Sequence, residues 1–523
     1  MKLKKVIARI FSLSLALSPI NICADENDLV AVSADNEYAY TDYSSAWSDA
    51  KNGVELVMLE DWNLTSRLVV DEGQTVTIDM NGHKIDRQLT SAQSDGQVIY
   101  MNKNSSLTLS GNTDSRFILR MLNEKLDGSV KTDTTIGGLI TGGATSNGGG
   151  GIFMNEGCSL TLDHVGVMSN LSRNYSGSGG GIYADGDGCQ INLKNGSKIS
   201  YNYASQKGGG IYIDNEDAYI NMDNSTISQN DASYGGAICS DDDATRITMN
   251  NNSKIIKNTA SQMGGAIYFG DSYGLLQSQD STGVVSNNTV ENSQSNSEGG
   301  AVFFAYTASS DHEAEVKNIT FEKNVANTLS EDYKGQGGAI CSRLKNVKIS
   351  NCTFKNNQAQ QGGAIYEDAK QMHLIDCTIE ENEASENGGA VYVDSQYDLY
   401  LEGNLSIQNN TRTSDSTKND IYLEDGTFTT AYVSGTPSNG SSVGLLGDGE
   451  IKVGINQSEN NGSFFCDADN YHLEWSGSDI KQKSGATGSV FGNGNTLIAL
   501  CVMFGIGVVG AVVLVVNKKK KSA

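Results

Sequence analysis

Gly337-Gly-Ala-Ile-Cys-Ser342, then Phe354-Lys-Asn-Asn357, then Gly362-Gly-Ala-Ile-Tyr-Glu367 span one full period of the pattern that decides the fold. The first motif, Gly-Gly-small-Ile/Val-large, occurs nine times, with its inner residue at Ile152, Ile182, Ile211, Ile238, Ile267, Val302, Ile340, Ile365 and Val391. The second, apolar-x-x-Asn, also occurs nine times, from Val167/Asn170 to Ile407/Asn410. Its asparagines lie 25 to 36 residues apart, most often 28. Between the two runs a short alternating stretch, such as Leu160-Thr-Leu162, Ile191-Asn-Leu193 or Ile220-Asn-Met222. Alternation with period two is a strand signature. Each period offers three short strands parted by Gly, Asn and Asp turns, and none can stand alone. Coiled in register, each strand stacks on its counterpart one period later. The expectation is an all-β chain: a parallel β-helix, a three-sheet solenoid of about 12–13 coils.

The residue choices follow from that geometry. A corner with positive φ, or with no room for a side chain, requires Gly. Asn tolerates left-handed backbone, and stacked in register it forms a ladder of side-chain amides. Proline would delete ladder hydrogen bonds, and beyond the leader the chain has only Pro437, outside the nine repeats. Two spacings are stretched, and Glu291 to Glu298 and Thr328 to Lys334 are expected to protrude at one corner. The residue after each inner Ile is Tyr, Phe or Cys. This column either faces in, as a core stack, or faces out, as a glycan-binding stripe.

The rest of the chain is read outward from these repeats. Residues 1–24 read as a signal peptide, with Lys2, Lys4, Lys5 and Arg9 ahead of a short apolar run. Residues 35–148 read as an N-terminal cap and degenerate coils. Ser44 to Lys51 is a helix-like cap, and Asn112 to Thr135 an excursion. Residues 149–410 hold the regular repeats. Residues 411–475 hold terminal coils and a cap, and 476–495 a Gly/Ser-rich spacer. Residues 496–516 read as a transmembrane helix, since Leu497 to Val516 carries no charge and about 20 residues span a bilayer. Residues 517–523 form a cytoplasmic Lys-rich tail.

Of 523 residues, 62 are acidic and 37 basic. Setting aside the basic residues of the two ends leaves a body of about −33, which argues against nucleic acid as a partner.

At Gly264-Gly-Ala-Ile267, Gly337-Gly-Ala-Ile340 and Gly362-Gly-Ala-Ile365, with Phe321/Asn324 and Phe354/Asn357, the chain resembles the polymorphic outer-membrane protein repeat. More broadly it resembles the right-handed, pectin-lyase-like β-helix class. The first resemblance implies a surface adhesin. The chain departs from that family in ending on a single membrane helix rather than a run of barrel strands.

Members of the wider class cleave acidic polysaccharides with clustered aspartates and a neighbouring arginine or histidine, which the resemblance implies as the groups of a catalytic site. Asp241, Asp242, Asp243 and Arg246 form the best local cluster, beside a plain reading as solvated turn residues. His83, His164, His312, His373 and His472 stand in no catalytic pattern, and no catalytic, cofactor or metal residue is assigned. Cys158/Cys189 and Cys352/Cys377 hold matching positions in adjacent repeats, as buried thiols or as disulfides. The expected protein is a bacterial, single-pass cell-membrane protein with an extracellular ectodomain. As an adhesin or interaction scaffold it would bind a host or glycan ligand. The alternatives are a polysaccharide lyase or hydrolase, and a structural spacer.

Overall fold

A compact repeat lays down four strands, and the two stretched ones add a fifth, Ser297–Glu298 and Gly335–Gln336. Ile182–Asp185, Gln190–Lys194, Lys198–Ser200 and Tyr203–Ala204 make one coil. The fourth, directly after Asn202, is two residues long, and in sequence it is indistinguishable from a turn. The structure is a computed structural model that describes residues 28–484. Within that span 121–130, 175–176, 215, 242–243, 271–273, 307–312, 369–370, 395–396, 415, 425–429, 435–441, 448–449, 454–463, 467–470 and 477–478 are not described. The expected signal peptide, membrane helix and Lys-rich tail lie outside the described residues. No helix among the described residues is long and apolar enough to cross a membrane.

The three principal sheets have 18, 26 and 13 strands. The alternating strands form the first and the post-Asn strands the last. The Gly-Gly strands and the apolar-x-x-Asn strands, expected as separate sheets, are two columns of the 26-stranded sheet. They join through Ser442–Gly447, which pairs with both Ser406–Gln408 and Ile421–Leu423. The Gly-Gly column passes through twelve successive parallel pairings, hence thirteen strands among the described residues, from Leu68–Val70 to Ser442–Gly447. Its register is one-to-one: Ile211 sits on Ile182, Ile238 on Ile211, Ile267 on Ile238. These side chains are fully buried in one continuous core.

The two glycines of each pair do different work. Gly235 has φ +59° and Gly264 φ +63°, the left-handed region where a Cβ is penalised. The second glycine has no space: a Cβ on Gly236 would lie 2.4 Å from the Thr259 carbonyl oxygen and 2.5 Å from that of Gly265. The asparagines form the expected ladder. Asn230 Nδ2 donates to Asn258 Oδ1 at 3.0 Å and to the Ile199 carbonyl at 2.9 Å. The Asn230 backbone N–H also donates to Asn258 Oδ1, at 3.0 Å. The pattern repeats from Asn170 to Asn410, where Asp420 accepts both bonds in place of an asparagine.

Both ends are closed. At the N-terminus the helix Tyr43–Lys51, capped by Asp42, buries Ala46, Trp47 and Ala50 over the first coils. At the C-terminus Tyr471–Ser476 and Asp479–Ser484 pair antiparallel, and the latter also pairs with Glu450–Val453, ending the stack against further parallel addition. Asp479–Ser484 falls inside the stretch read as spacer, and so belongs to the closing sheet. The excursion folds as an antiparallel hairpin, Ser115–Arg120 with Lys131–Ile136, seated on the solenoid through Phe117, Leu119, Ile136, Leu139 and Met168.

Candidate functional site

The aromatic column takes neither of the two expected positions. Ile points inward, so the next residue points away from the main core. Phe303, Cys341, Tyr366 and Tyr392 form a separate buried cluster with Met263 and Tyr268 against it. Their rings stack at 5.5 Å (Tyr268–Phe303) and 5.2 Å (Tyr366–Tyr392). Residues just before several Gly-Gly pairs lie against this column: Lys207 Nζ is 5.7 Å from the Tyr212 ring, Tyr234 meets Tyr268 edge-on at 5.3 Å, and Met263 packs on the cluster. The result is a second apolar layer outside the solenoid core, buried at Phe303, Cys341, Tyr366 and Tyr392 and partly exposed at Tyr100, Tyr183, Tyr268 and Tyr422.

Acidic residues edge that layer three positions after the inner Ile. Tyr183 OH donates to Asp214 at 2.5 Å, Tyr212 OH to Asp241 at 2.8 Å and Tyr366 OH to Asp394 at 2.6 Å. Burial, then the Asp241 charge, push the Tyr212 hydroxyl well above its ordinary pKa. Asp241 also holds Lys207. The cluster singled out in sequence is therefore not assembled. Asp241 is committed to the covered layer. Arg246 lies on the alternating sheet, donates to Tyr219 OH and sits 3.6 Å from Asp217. Asp242 and Asp243 lie outside the described residues.

A second pair crosses the same layer farther along. Glu298, 2% exposed, receives a 2.5 Å bond from Arg343, and its Oε2 is buried without a partner. Burial raises its pKa to about 7 against the pull of Arg343. Glu298, expected at the end of a protruding loop, closes the short strand Ser297–Glu298 instead. Only residues between Asn292 and Ser297, and between Thr328 and Gly335, form the two loops. These are tied together by the Lys334 N–H donating to Asn296 Oδ1 at 2.9 Å.

A recess with converging polar groups lies under the hairpin. It encloses about 630 Å³, within the size range of small-molecule sites. Its lining comes from the early coils, with Asp61, Lys84 and Asp86, the last two in register with Leu139 and Thr141, and from the hairpin strand that carries Arg116. Asp61 Oδ1 accepts from the Lys84 N–H at 3.1 Å and lies 3.3 Å from His83 Nδ1. Burial pushes the Asp61 carboxyl up, but these bonds outweigh it and hold it below the usual range. Lys84 Nζ is 2.8 Å from Asp86. The hydroxyl of Ser169, a residue 1% exposed, has no partner. Sequence reading missed this group. Its members come from three degenerate coils, a regular coil and the excursion, and share no motif.

Of the other singled-out residues, His164 bonds Asp114 at 2.6 Å, and His373 stacks on Tyr400 and bonds Glu402 at 2.7 Å. His312 lies outside the described residues, as does the side chain of His472. Cys158, Cys189, Cys352 and Cys377 are buried free thiols. Among the described residues no group of three or more His, Cys, Asp or Glu is arranged to hold a metal. From Thr77 to Gln277 the middle outer row of the alternating sheet is Thr77, Thr108, Thr161, Asn192, Asn221, Thr248 and Gln277, and the later strands carry charged and aromatic residues there, with Glu315 paired to Lys317 and His373 to Glu402.

Residues 317–449, about a quarter of the chain, match the model of the right-handed β-helix region. With the parallel pairing above, this places the fold in the right-handed β-helix class. No curated protein and no solved structure matches the chain.

Proposed function

We propose that the protein is a cell-surface rod, held in the membrane by residues 496–516, that binds a host or glycan ligand with its extracellular solenoid. The observation that carries this reading is the polar recess under the hairpin. An antiparallel hairpin is inserted into the early coils of the repeat scaffold, and a cleft lies between it and those coils. The leader, the apolar terminal run and the acidic body support a secreted, anchored, soluble-faced molecule.

The catalytic alternative loses its best cluster, since Asp241 is bonded within the covered layer and Arg246 stands on another sheet. Asp61, below its usual range, is also a poor proton donor at neutral pH. The test displays the full chain on cells and measures adhesion to glycan-coated and host-cell surfaces. In parallel, the size of acidic and neutral polysaccharides is followed during incubation. Adhesion without shortening supports the reading. Shortening of a polymer, or no adhesion to any surface, overturns it.

A further inference from the structure

We infer that Cys158 with Cys189, and Cys352 with Cys377, are disulfide sites, each pair stapling one coil of the solenoid to the next. This rests on the proposed export of the chain, which carries it into an oxidising compartment where disulfides persist. The four thiols are reduced in the structure. The register sets each pair on adjacent rungs. Ser159 pairs with Gln190 and Thr353 with Thr378, and the Gln190 and Thr378 N–H groups donate to the Cys158 and Cys352 carbonyls, each at 2.9 Å. Parallel rungs lie about 4.8 Å apart, inside the Cα separation of about 4.4–6.8 Å that a disulfide accepts.

The thiol directions agree. Cys189 Sγ lies 3.2 Å from the Asn155 carbonyl and Cys377 Sγ 3.5 Å from that of Ile349, so the later thiol of each pair reaches back to the coil that carries the earlier one. Cys158 and Cys352 reach one coil further back, to the Asn102 and Val316 carbonyls at 3.0 and 3.7 Å. Closure turns the earlier side chain about its Cα–Cβ bond and exchanges weak S–H···O contacts for a covalent one. Cys239 and Cys341 serve as an internal control. They share a column, but Tyr268 and Phe303 are stacked between them, so they stand three rungs apart.

The chemistry is thiol–disulfide exchange. One thiolate of a pair attacks an oxidised donor such as glutathione disulfide, its partner attacks the mixed disulfide, and the donor leaves as two thiols carrying the two protons. Burial pushes the Cys189 and Cys377 thiols up to about 12, which leaves almost no thiolate in a closed coil. The exchange therefore runs while a coil is forming or locally open.

The experiment uses the full chain in detergent micelles, purified reduced and incubated with reduced and oxidised glutathione in mild urea, which opens coils locally. Remaining thiols are blocked with N-ethylmaleimide and the digest is mapped by mass spectrometry. The expected products are one peptide pair joining Cys158 to Cys189 and one joining Cys352 to Cys377, each lighter by two hydrogens than its reduced parts, with Cys239 and Cys341 blocked. Cys189→Ser is expected to leave Cys158 blocked and the second pair intact. Four blocked thiols in the glutathione-treated chain, or joins to other cysteines in preference to these, overturn the inference. The same map is made on chain harvested from the cell surface. Pairs that form in glutathione and are missing from the surface chain overturn the export reading and leave the coil-to-coil sites standing.

Discussion

Glu298 and Arg343, 2.5 Å apart, repeat the bridge between Lys207 and Asp241 with the charges exchanged. Lys207 and Glu298 each directly precede the first glycine of a pair, Gly208 and Gly299. Asp241 and Arg343 each stand three residues after the inner Ile238 and Ile340. In both bridges the first partner belongs to one coil and the second to the next. In both the cation lies near a ring of the covered layer, 5.7 Å from Tyr212 and 5.9 Å from Phe303. The solenoid brings two positions face to face, and opposite sign matters there more than which partner carries which charge.

The first prediction exchanges the charges of one bridge. Lys207→Glu alone sets a carboxylate against Asp241 and is expected to cost about 1 kcal/mol, modest because Lys207 is about a third exposed. Adding Asp241→Arg is expected to recover most of it. A double-mutant cycle from urea unfolding measures the coupling, and a double variant no more stable than the single would refute it.

The second concerns pH. Glu298 is raised to about 7 by burial, and Glu367, inward-facing and fully buried with both oxygens unpartnered, lies well above its usual 4.5. Both carboxyls hold a proton more tightly folded than unfolded. Their stability contribution is therefore complete below about pH 4.5 and falls as pH rises, toward about 7 for Glu298 and beyond it for Glu367. For Glu298 the loss is about 3 kcal/mol. Glu298→Gln with Glu367→Gln is expected to flatten the decline between pH 5 and pH 8. Parallel stability profiles for the wild type and the double variant would count against this assignment.

The third tests the amide ladder. Asn258→Ala removes the acceptor of two Asn230 donors and the donor to the Ile227 carbonyl, all buried. A loss of about 3 kcal/mol or more is expected. Asp420→Asn keeps an oxygen for both Asn410 donors and removes a buried carboxylate, so it is expected to be neutral or stabilising at pH 7. Urea midpoints of the two variants check both. Equal effects would contradict the ladder account.

The fourth separates the two uses of glycine. Gly236→Ala drives a Cβ into two backbone oxygens and is expected to prevent the local coil from forming. Gly188→Ala, at φ +70° with nothing within 4 Å, pays only left-handed strain of about 1–2 kcal/mol. Hydrogen exchange around Thr259 and Gly265 reads the difference, and similar protection in both variants would reject it.

The covered layer was only half legible. The Tyr/Phe/Cys column was visible as a column, because recurrence at one repeat position is a property of sequence. Its cover was not, because Lys207, Tyr234, Met263 and Glu298, one per repeat, share no side-chain type. The Asp241–Arg246 cluster failed for a related reason. Neighbours in sequence on either side of a solenoid corner lie on different sheets, so proximity along the chain says little about proximity in space.

What the sequence by itself determined is everything that repeats. In a parallel stack each residue meets its own counterpart, so the period alone places Ile on Ile, Asn on Asn and Gly against Gly. The tertiary structure alone decided what does not repeat. The angle at each corner sets which rows face one another across the covered layer, so it alone pairs Lys207 with Asp241 and Glu298 with Arg343. The docking of one inserted hairpin brings Asp61, Lys84, Asp86, Arg116 and Ser169 around a single cleft. Those contacts join unlike positions by packing and electrostatics, which carry no period to read.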